Sequence, residues 1–446
     1  MYHKTSVFYG NLPVLTVAAP ELMKRILVKD FDAFTDRFRP PMKHPILRHN
    51  LGEANQRDWK RLRAVVSTTF TSAKMRRMYP LIYQCVDELM VTLGTGTGMS
   101  ADVDLRPVFG NLAMDVLATC AFSIKCGAQA ARDVDSEFVA MAKRAFNPDV
   151  MRESVLQTAL NWVGVGRRLD ASAHEFFFGL IRGLIADRRR NTSRKYNDFL
   201  QILMDAVHDT DEDMDPNESY LGSGGPSVQT FSKHITDDEL VANGWLWFAS
   251  GTETITIALS FAVYELALNP DAQRKLYAEI AAALDTDGRV DYDSVARLPY
   301  LEAVFAETLR LHAPLHRIAR YANRDYALGD DGTGIVVKSG QKVEVPAYAI
   351  HHMEEHFENP DEFNPDRFLP ANRTNIAPYT YVPFGVGPRY CVAMNFATLE
   401  VKLTLATLVS RYEFVRSPNT DVPPLLRDMI EIHSPQRMVL SVIKRQ

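Results

Sequence analysis

The chain has 446 residues, 46% of them hydrophobic and 24% charged. These are the proportions of an ordinary globular enzyme and exclude a disordered or fibrous chain. A formal net charge of -5 leaves no electrostatic footprint for a nucleic-acid partner.

The four cysteines, Cys85, Cys120, Cys126 and Cys391, show no paired metal spacing and are too few for a disulfide framework. A reducing compartment is the simpler reading. Length alone admits about three domains at roughly 150 residues each, a rule that large single-core enzymes break. The opening MYHKTSVFYG lacks the apolar core of a signal peptide. No stretch approaches the ~20 apolar residues that span a bilayer.

In chain order, SVFYGNLPVLTV predicts two short strands around a Gly10-Asn11 turn. APELMKRILVKD follows as an amphipathic helix. GTGTGM at 94–99 looks like a dinucleotide loop, but its third glycine position is Met99 and no strand precedes it, so a plain linker is expected. Apolar positions at spacings of three and four predict helices over 101–124, 171–206 and 271–284. Residues 209–234 are acidic and rich in glycine and serine, the composition of a surface loop.

Thr236 with Glu239 forms a capping box, and apolar residues then run to about Leu268, before Asn269-Pro270. Such a helix is about 50 Å long at 1.5 Å per residue. Apolar on most faces, it predicts a buried central helix. After Pro314 the pattern turns to short strands near 320–328 and in GIVVKSGQKVEVPAYAI. No internal repeat is visible.

The most specific stretch is FGVGPRYCVAM, residues 384–394. Gly385, Gly387 and Pro388 fix a tight loop just before the helix AMNFATLEVKLTLATLV, and Cys391 stands at its end. A buried free cysteine is the plain alternative. A sulfur at a helix N-terminus, however, is favoured as thiolate by the helix dipole and free N–H groups. That suits it to be the single axial ligand of a haem iron, with Arg389 two residues earlier available to an acidic haem side chain.

Phe384, Gly387, Arg389 and Cys391 match the haem-thiolate signature Phe-x-x-Gly-x-Arg-x-Cys, and through it the chain resembles the cytochrome P-450 superfamily. WKRLRAVVSTTFTSAK, FASGTETITIALSFAVYELALNPDAQRKL and DEFNPDRFLP are similar to the animal microsomal branch, which includes the family-three drug-metabolising enzymes and thromboxane synthase. The resemblance implies a mainly α fold with a small β region, the cytochrome P-450 fold, as one haem-thiolate monooxygenase domain over 1–446. It implies haem b with iron ligated by Cys391, and insertion of one atom of dioxygen into an apolar small molecule. Electrons would come from a separate NADPH-dependent flavoprotein reductase, with a b-type cytochrome as a second donor. The expected place is a membrane surface, the cytosolic face of the endoplasmic reticulum. Microsomal relatives carry an N-terminal membrane helix before the first strands, and this chain begins where that would end.

In Ser250-Gly251-Thr252-Glu253-Thr254 an acid and three hydroxyls interrupt an apolar helix. Thr254 is spaced to bond back to the Ser250 carbonyl, and a Ser/Gly pair there predicts an opened groove. By resemblance, Glu253 and Thr254 form the acid–alcohol pair that delivers protons during oxygen activation. The family's usual Ala-Gly is Ser250-Gly251 here, and its frequent second threonine is Ile255.

Glu307 and Arg310 are spaced as a common helix-surface pair, but lie in an apolar stretch where burial would demand further partners. The resemblance makes Glu307, Arg310 and Arg367 a structural lock on the segment bearing the cysteine loop. Trp59 and Arg63 sit one turn apart on a basic amphipathic stretch. By resemblance they hold a haem propionate through charge-assisted hydrogen bonds, with Arg320 and, more weakly, Arg37.

His352, Glu355 and His356 stand in the order of an inverted zincin, though the prolines nearby argue against the helix it needs. Ala393 replaces the family's usual glycine. Residues 38–55 and 145–175 are expected to line the substrate pocket; 155–166 is apolar enough to touch a membrane. Three rivals are a reductase-independent isomerase of the thromboxane synthase type, a zinc peptidase and a non-catalytic haem sensor.

Overall fold

The computed structural model describes residues 4–9, 12–37, 44–97, 100–130, 137–145, 171–206, 235–328, 335–427 and 432–445. The Gly10-Asn11 turn, Gly98-Met99, the acidic stretch 209–234, residues 38–43 and 146–170 of the expected pocket lining, and the apolar 155–166 lie outside them.

The architecture is mainly helical with small sheets. β1 (Lys4–Tyr9) and β2 (Leu12–Val17) pair antiparallel. β2 runs parallel to β7 (Lys342–Val345), which pairs antiparallel with β4 (Ile318–Tyr321). β3 (Ser100–Asp104), β9 (Val439–Lys444) and β8 (Tyr412–Val415) form a second sheet in that order, and β5 (Tyr326–Leu328) pairs with β6 (Ile335–Val337). Leu15 and Val17 from β2, Val343 and Val345 from β7, and Met23, Ile26, Leu27 and Phe34 share one small core with Val382, two residues before the cysteine loop.

The central helix is Asp237–Leu268, opened by the expected capping box: the Thr236 hydroxyl accepts from the Glu239 N–H, and the Glu239 carboxylate accepts from the Thr236 N–H. Helix Leu105–Phe122 packs closely against it. A Cβ added to Gly251 would lie 2.9 Å from the Leu117 side chain, so this glycine lets the two helices approach. Among the described residues the central helix alone is long and apolar enough to cross a membrane, contrary to expectation, yet most of that span is buried inside the protein.

Four expectations need correction. Residues 101–104 are strand, not helix: β3 pairs with β9, and the Asp104 carboxylate caps the helix by accepting from the Arg106 N–H. The helix expected over 171–206 stops at Arg190 and resumes at Phe199, because the Asp198 carboxylate both caps the new start and pairs with buried Arg188 at 2.6 Å. The 19–30 stretch is α-helical only over Pro20–Lys24, then widens into a π-helical turn, Arg25–Lys29. Residues 94–97 are the last turn of helix Ser72–Thr97, not linker.

Candidate active site

The cysteine loop joins the small core to helix Met394–Arg411. The Cys391 N–H donates to the Phe384 carbonyl at 2.8 Å and the Tyr390 N–H to the Gly387 carbonyl at 3.0 Å, closing the loop on itself. Phe384 also faces Phe305, with ring centroids 6.4 Å apart. Gly387 has φ +76°, and a Cβ there would sit 1.8 Å from the Leu27 carbonyl oxygen. No side chain fits against that π-helical turn. Ala393 is the helix N-cap at φ -93°, ψ 18°, a conformation open to any L residue, so the missing glycine imposes no backbone strain.

Four guanidiniums gather around the loop. Arg37 donates to the Arg389 carbonyl. Arg63, on helix Gln56–Ser67, donates to the Tyr390 carbonyl at 2.8 Å and lies over the Tyr390 ring at 4.5 Å. Arg389 reaches the carbonyls of Leu51 and Ala54 at 3.1 and 2.6 Å and covers the buried Trp59 ring at 4.7 Å. Arg320, on β4, donates to the Ala319 carbonyl at 2.7 Å. Leu51 is tied back to the central helix by its N–H on the Asn243 side-chain oxygen at 3.0 Å, a partner the sequence did not reveal.

Burial pushes all four arginines below their ordinary range, Arg389 to about 9, and their mutual repulsion adds to it for Arg37, Arg320 and Arg389. Among the described residues none forms an ion pair with a carboxylate; Glu53, and for Arg389 also Asp36, pull Arg37 and Arg389 back up without offsetting their burial. The buried Nε atoms of Arg320 and Arg389 have no acceptor. Buried charge without a counter-charge is strongly unfavourable. These residues therefore fit the dianionic edge of the haem that the loop signature implies. Arg37, the weaker expectation, is a full member of the cluster.

The thiol needs a correction. Cys391 keeps some accessible surface, but protein crowds it enough that burial pushes its pKa up. The Ala393 N–H, Arg37 and Arg63 pull the other way without winning. The helix start alone does not make the thiolate; a metal cation would complete it.

The central helix is buried from Glu239 onward except at Leu246, residues 249–254 and its last residue, Leu268. The 249–254 window carries the acid and hydroxyls. Thr254 donates to the Ser250 carbonyl at 2.7 Å, as expected, and Ser250, Thr252 and Thr256 bond back in the same way. The helix nonetheless runs unbroken, so the expected groove is absent: each hydroxyl joins its i−4 carbonyl without displacing the backbone ladder. The Glu253 carboxylate accepts from Arg106 at 2.7 Å and from the Ser434 hydroxyl at 2.5 Å. Among the described contacts it makes no hydrogen bond with Thr254.

Glu307, Arg310 and Arg367 come together as the resemblance implies. Arg310 grips Glu307 with two bonds of 2.7 and 2.8 Å, both side chains fully buried, and Arg367 adds a third contact at 3.3 Å. Arg310 also donates to the carbonyls of His351, Pro360 and Glu362, and the Asn364 N–H donates to Glu307. His351, which the sequence did not single out, carries the lock onward. Its Nε2 accepts from the Val382 N–H at 2.9 Å and its Nδ1 faces the Arg310 carbonyl at 3.2 Å.

These two bonds require a neutral ring. Burial first, then Arg310 and His352, push His351 down to about 3. The unfolded chain therefore binds a proton there that the folded chain does not. This contribution is present above the ordinary histidine pKa of 6.5 and is lost as pH falls toward 3. Urea midpoints are expected to fall over that range, and His351→Gln should reduce the slope by about one proton. Equal slopes would refute the assignment.

The inverted-zincin order does not assemble. The helix Ala347–His351 ends before His352, so His352 and His356 do not share a helix face, and no metal-holding group of histidine, cysteine and carboxylates occurs among the described residues.

Compared with known proteins, the chain matches the family profile described as Cytochrome P450 over residues 2–440. It is 31% identical to mouse Cytochrome P450 3A41, over 100% of this chain and 85% of that protein. Rat Cytochrome P450 3A9 is 29% identical over 98% and 84%. The Drosophila melanogaster protein named Probable cytochrome P450 6a21 is 31% identical over 93% and 81%.

Proposed function

The chain belongs to the cytochrome P450 family, and from that membership we propose that Cys391 is the iron ligand of a single haem domain acting on an apolar substrate. The family is one of monooxygenases that use cysteine-ligated haem b, take electrons from a redox partner and bind small molecules. The four-arginine cluster beside Cys391, in which burial and mutual repulsion outweigh the nearby Asp36 and Glu53 and no described carboxylate forms an ion pair, is the observation that carries the assignment.

When bound, the haem supplies the iron at which dioxygen is activated. Trp59, Arg63, Arg320 and Arg389, with Arg37, would hold its propionates, the arginines exchanging mutual repulsion for charge-assisted hydrogen bonds. Phe384 and Gly387 fix the loop that would present Cys391, through the Phe384 carbonyl on the Cys391 N–H and the close approach of Gly387 to Leu27. The single Thr254 proton rests on the Ser250 carbonyl, so its oxygen is left to accept a hydrogen bond from a water in the 249–254 window. Glu253, one residue earlier, is the acid that resupplies protons. The electron donor is an NADPH-dependent flavoprotein reductase, with a b-type cytochrome as a second donor, at the cytosolic face of the endoplasmic reticulum.

Thr254→Ala tests the proton path. Product formed per NADPH consumed is expected to fall at least about tenfold, a modest share of the roughly 10²–10⁴-fold that placed proton-transfer groups contribute. Oxygen consumption should persist. Unchanged coupling would remove Thr254 from the mechanism. Turnover of an endoperoxide without reductase would instead favour the isomerase.

A further inference from the structure

Behind the central helix, outside the haem cradle, three imidazoles form a chain. His312 Nε2 lies 2.7 Å from Glu265 Oε1. His312 Nδ1 lies 3.4 Å from His433 Nε2, and His433 Nδ1 lies 3.1 Å from His316 Nε2. Phe261 stacks on His312 with centroids 3.9 Å apart, which fixes that ring's plane. Burial and then His312, His316 and His352 push His433 down to about 3, and burial lowers His316.

A neutral imidazole has one donor and one acceptor, and a carboxylate only accepts. With Glu265 ionised and the rings neutral, a single orientation satisfies every bond. His312 gives its Nε2–H to Glu265, His433 gives its Nε2–H to His312, and His316 gives its Nε2–H to His433.

His433 is also the root of an arm. Its N–H donates to the Pro314 carbonyl at 3.0 Å, and its neighbour Ile432 bridges Leu315. The next residue, Ser434, is fully buried, and its hydroxyl donates to Glu253 at 2.5 Å. Arg106, in the first turn of Leu105–Phe122, donates to both Glu253 at 2.7 Å and the Ser434 oxygen at 3.3 Å. Glu253 is thus held by two groups, from chain segments 147 and 181 residues away.

We propose that Ser434 is a positioning residue for Glu253, and that the Glu265–His312–His433–His316 chain clamps the arm that carries it. The inference rests on the reading of Glu253 as the acid. The clamp fixes the arm to the core, and Ser434 and Arg106 fix the position of the Glu253 carboxylate. Held there, the carboxylate takes a proton from water and passes it on without first having to be oriented.

Two measurements test this. In the reduced, carbon-monoxide-bound holoprotein labelled with 15N-histidine, His312, His433 and His316 are expected to be Nε2-protonated, and Glu265→Leu should shift all three signals. A charged or Nδ1-protonated His433 at neutral pH would overturn the clamp. In turnover with a flavoprotein reductase, Ser434→Ala is expected to slow product formation about tenfold, the low end for losing a hydrogen bond to a charged group. NADPH consumption should continue. Ser434→Thr, which keeps the hydroxyl, should restore most of it. Glu253→Gln separates the two readings: if it leaves coupling intact, the acid assignment itself fails. If it uncouples while Ser434→Ala behaves as wild type, only the positioning role fails.

Discussion

Cys391→Ser is expected to abolish the strongly red-shifted Soret band of the reduced, carbon-monoxide-treated protein, leave the helical circular dichroism intact, and lower turnover by more than two orders of magnitude. Loss of even an outer partner of a metal ligand changes affinity or activity by roughly 10–100-fold, so loss of the ligand should exceed that. The other cysteines offer no substitute. Cys85 is buried, its thiol pushed up to about 12, and Cys120 is fully enclosed and raised by burial as well. Cys126 is raised by burial and by Asp115, to which it hydrogen-bonds at 2.9 Å. Cys391 alone combines neighbouring guanidiniums with the N–H of a helix start. A red-shifted band that survived in Cys391→Ser would move the ligand elsewhere and dissolve the assignment of the whole cradle.

Glu307→Ala is expected to destabilise the protein by about 3–5 kcal/mol, the range for stripping one partner from a buried ion pair, and to leave it largely without haem. The charge on Arg310 would remain where both side chains are fully enclosed. Arg367 and the Asn364 N–H would lose the same acceptor. The damage should reach the cysteine loop through His351, which joins Arg310 to Val382. Arg310→Lys should behave similarly, because an ammonium cannot reproduce the guanidinium fork. Urea midpoint and haem content per chain measure both effects. A Glu307→Ala protein within about 1 kcal/mol of wild type, an ordinary surface substitution by size, would reduce the lock to a bystander.

Much of this was legible because it depends on near neighbours in the chain. The capping box at Thr236 and Glu239, the return of the Thr254 hydroxyl to Ser250 and the Glu307–Arg310 pair all span three or four residues, the distance at which one helical turn brings side chains and backbone together. The cysteine loop is equally local, with its glycines, arginine and sulfur inside eight residues. What failed was decided by distant partners. Residues 101–104 carry a helical apolar spacing but became strand because β9 returns beside them. The need for glycine at 387 lies in the Leu27 carbonyl. The raised Cys391 thiol reflects the protein packed around it, a quantity that helix-dipole reasoning omits.

Neither Arg106 nor Ser434 has any local signal that marks it, and both meet Glu253 only once three chain segments converge. The sequence by itself determined the family, the cysteine loop and the central helix, because each follows from spacing along one continuous segment. Only the tertiary structure decided which charges lack counter-charges and what holds the acid in place, because burial and long-range electrostatics exist only after the segments have packed.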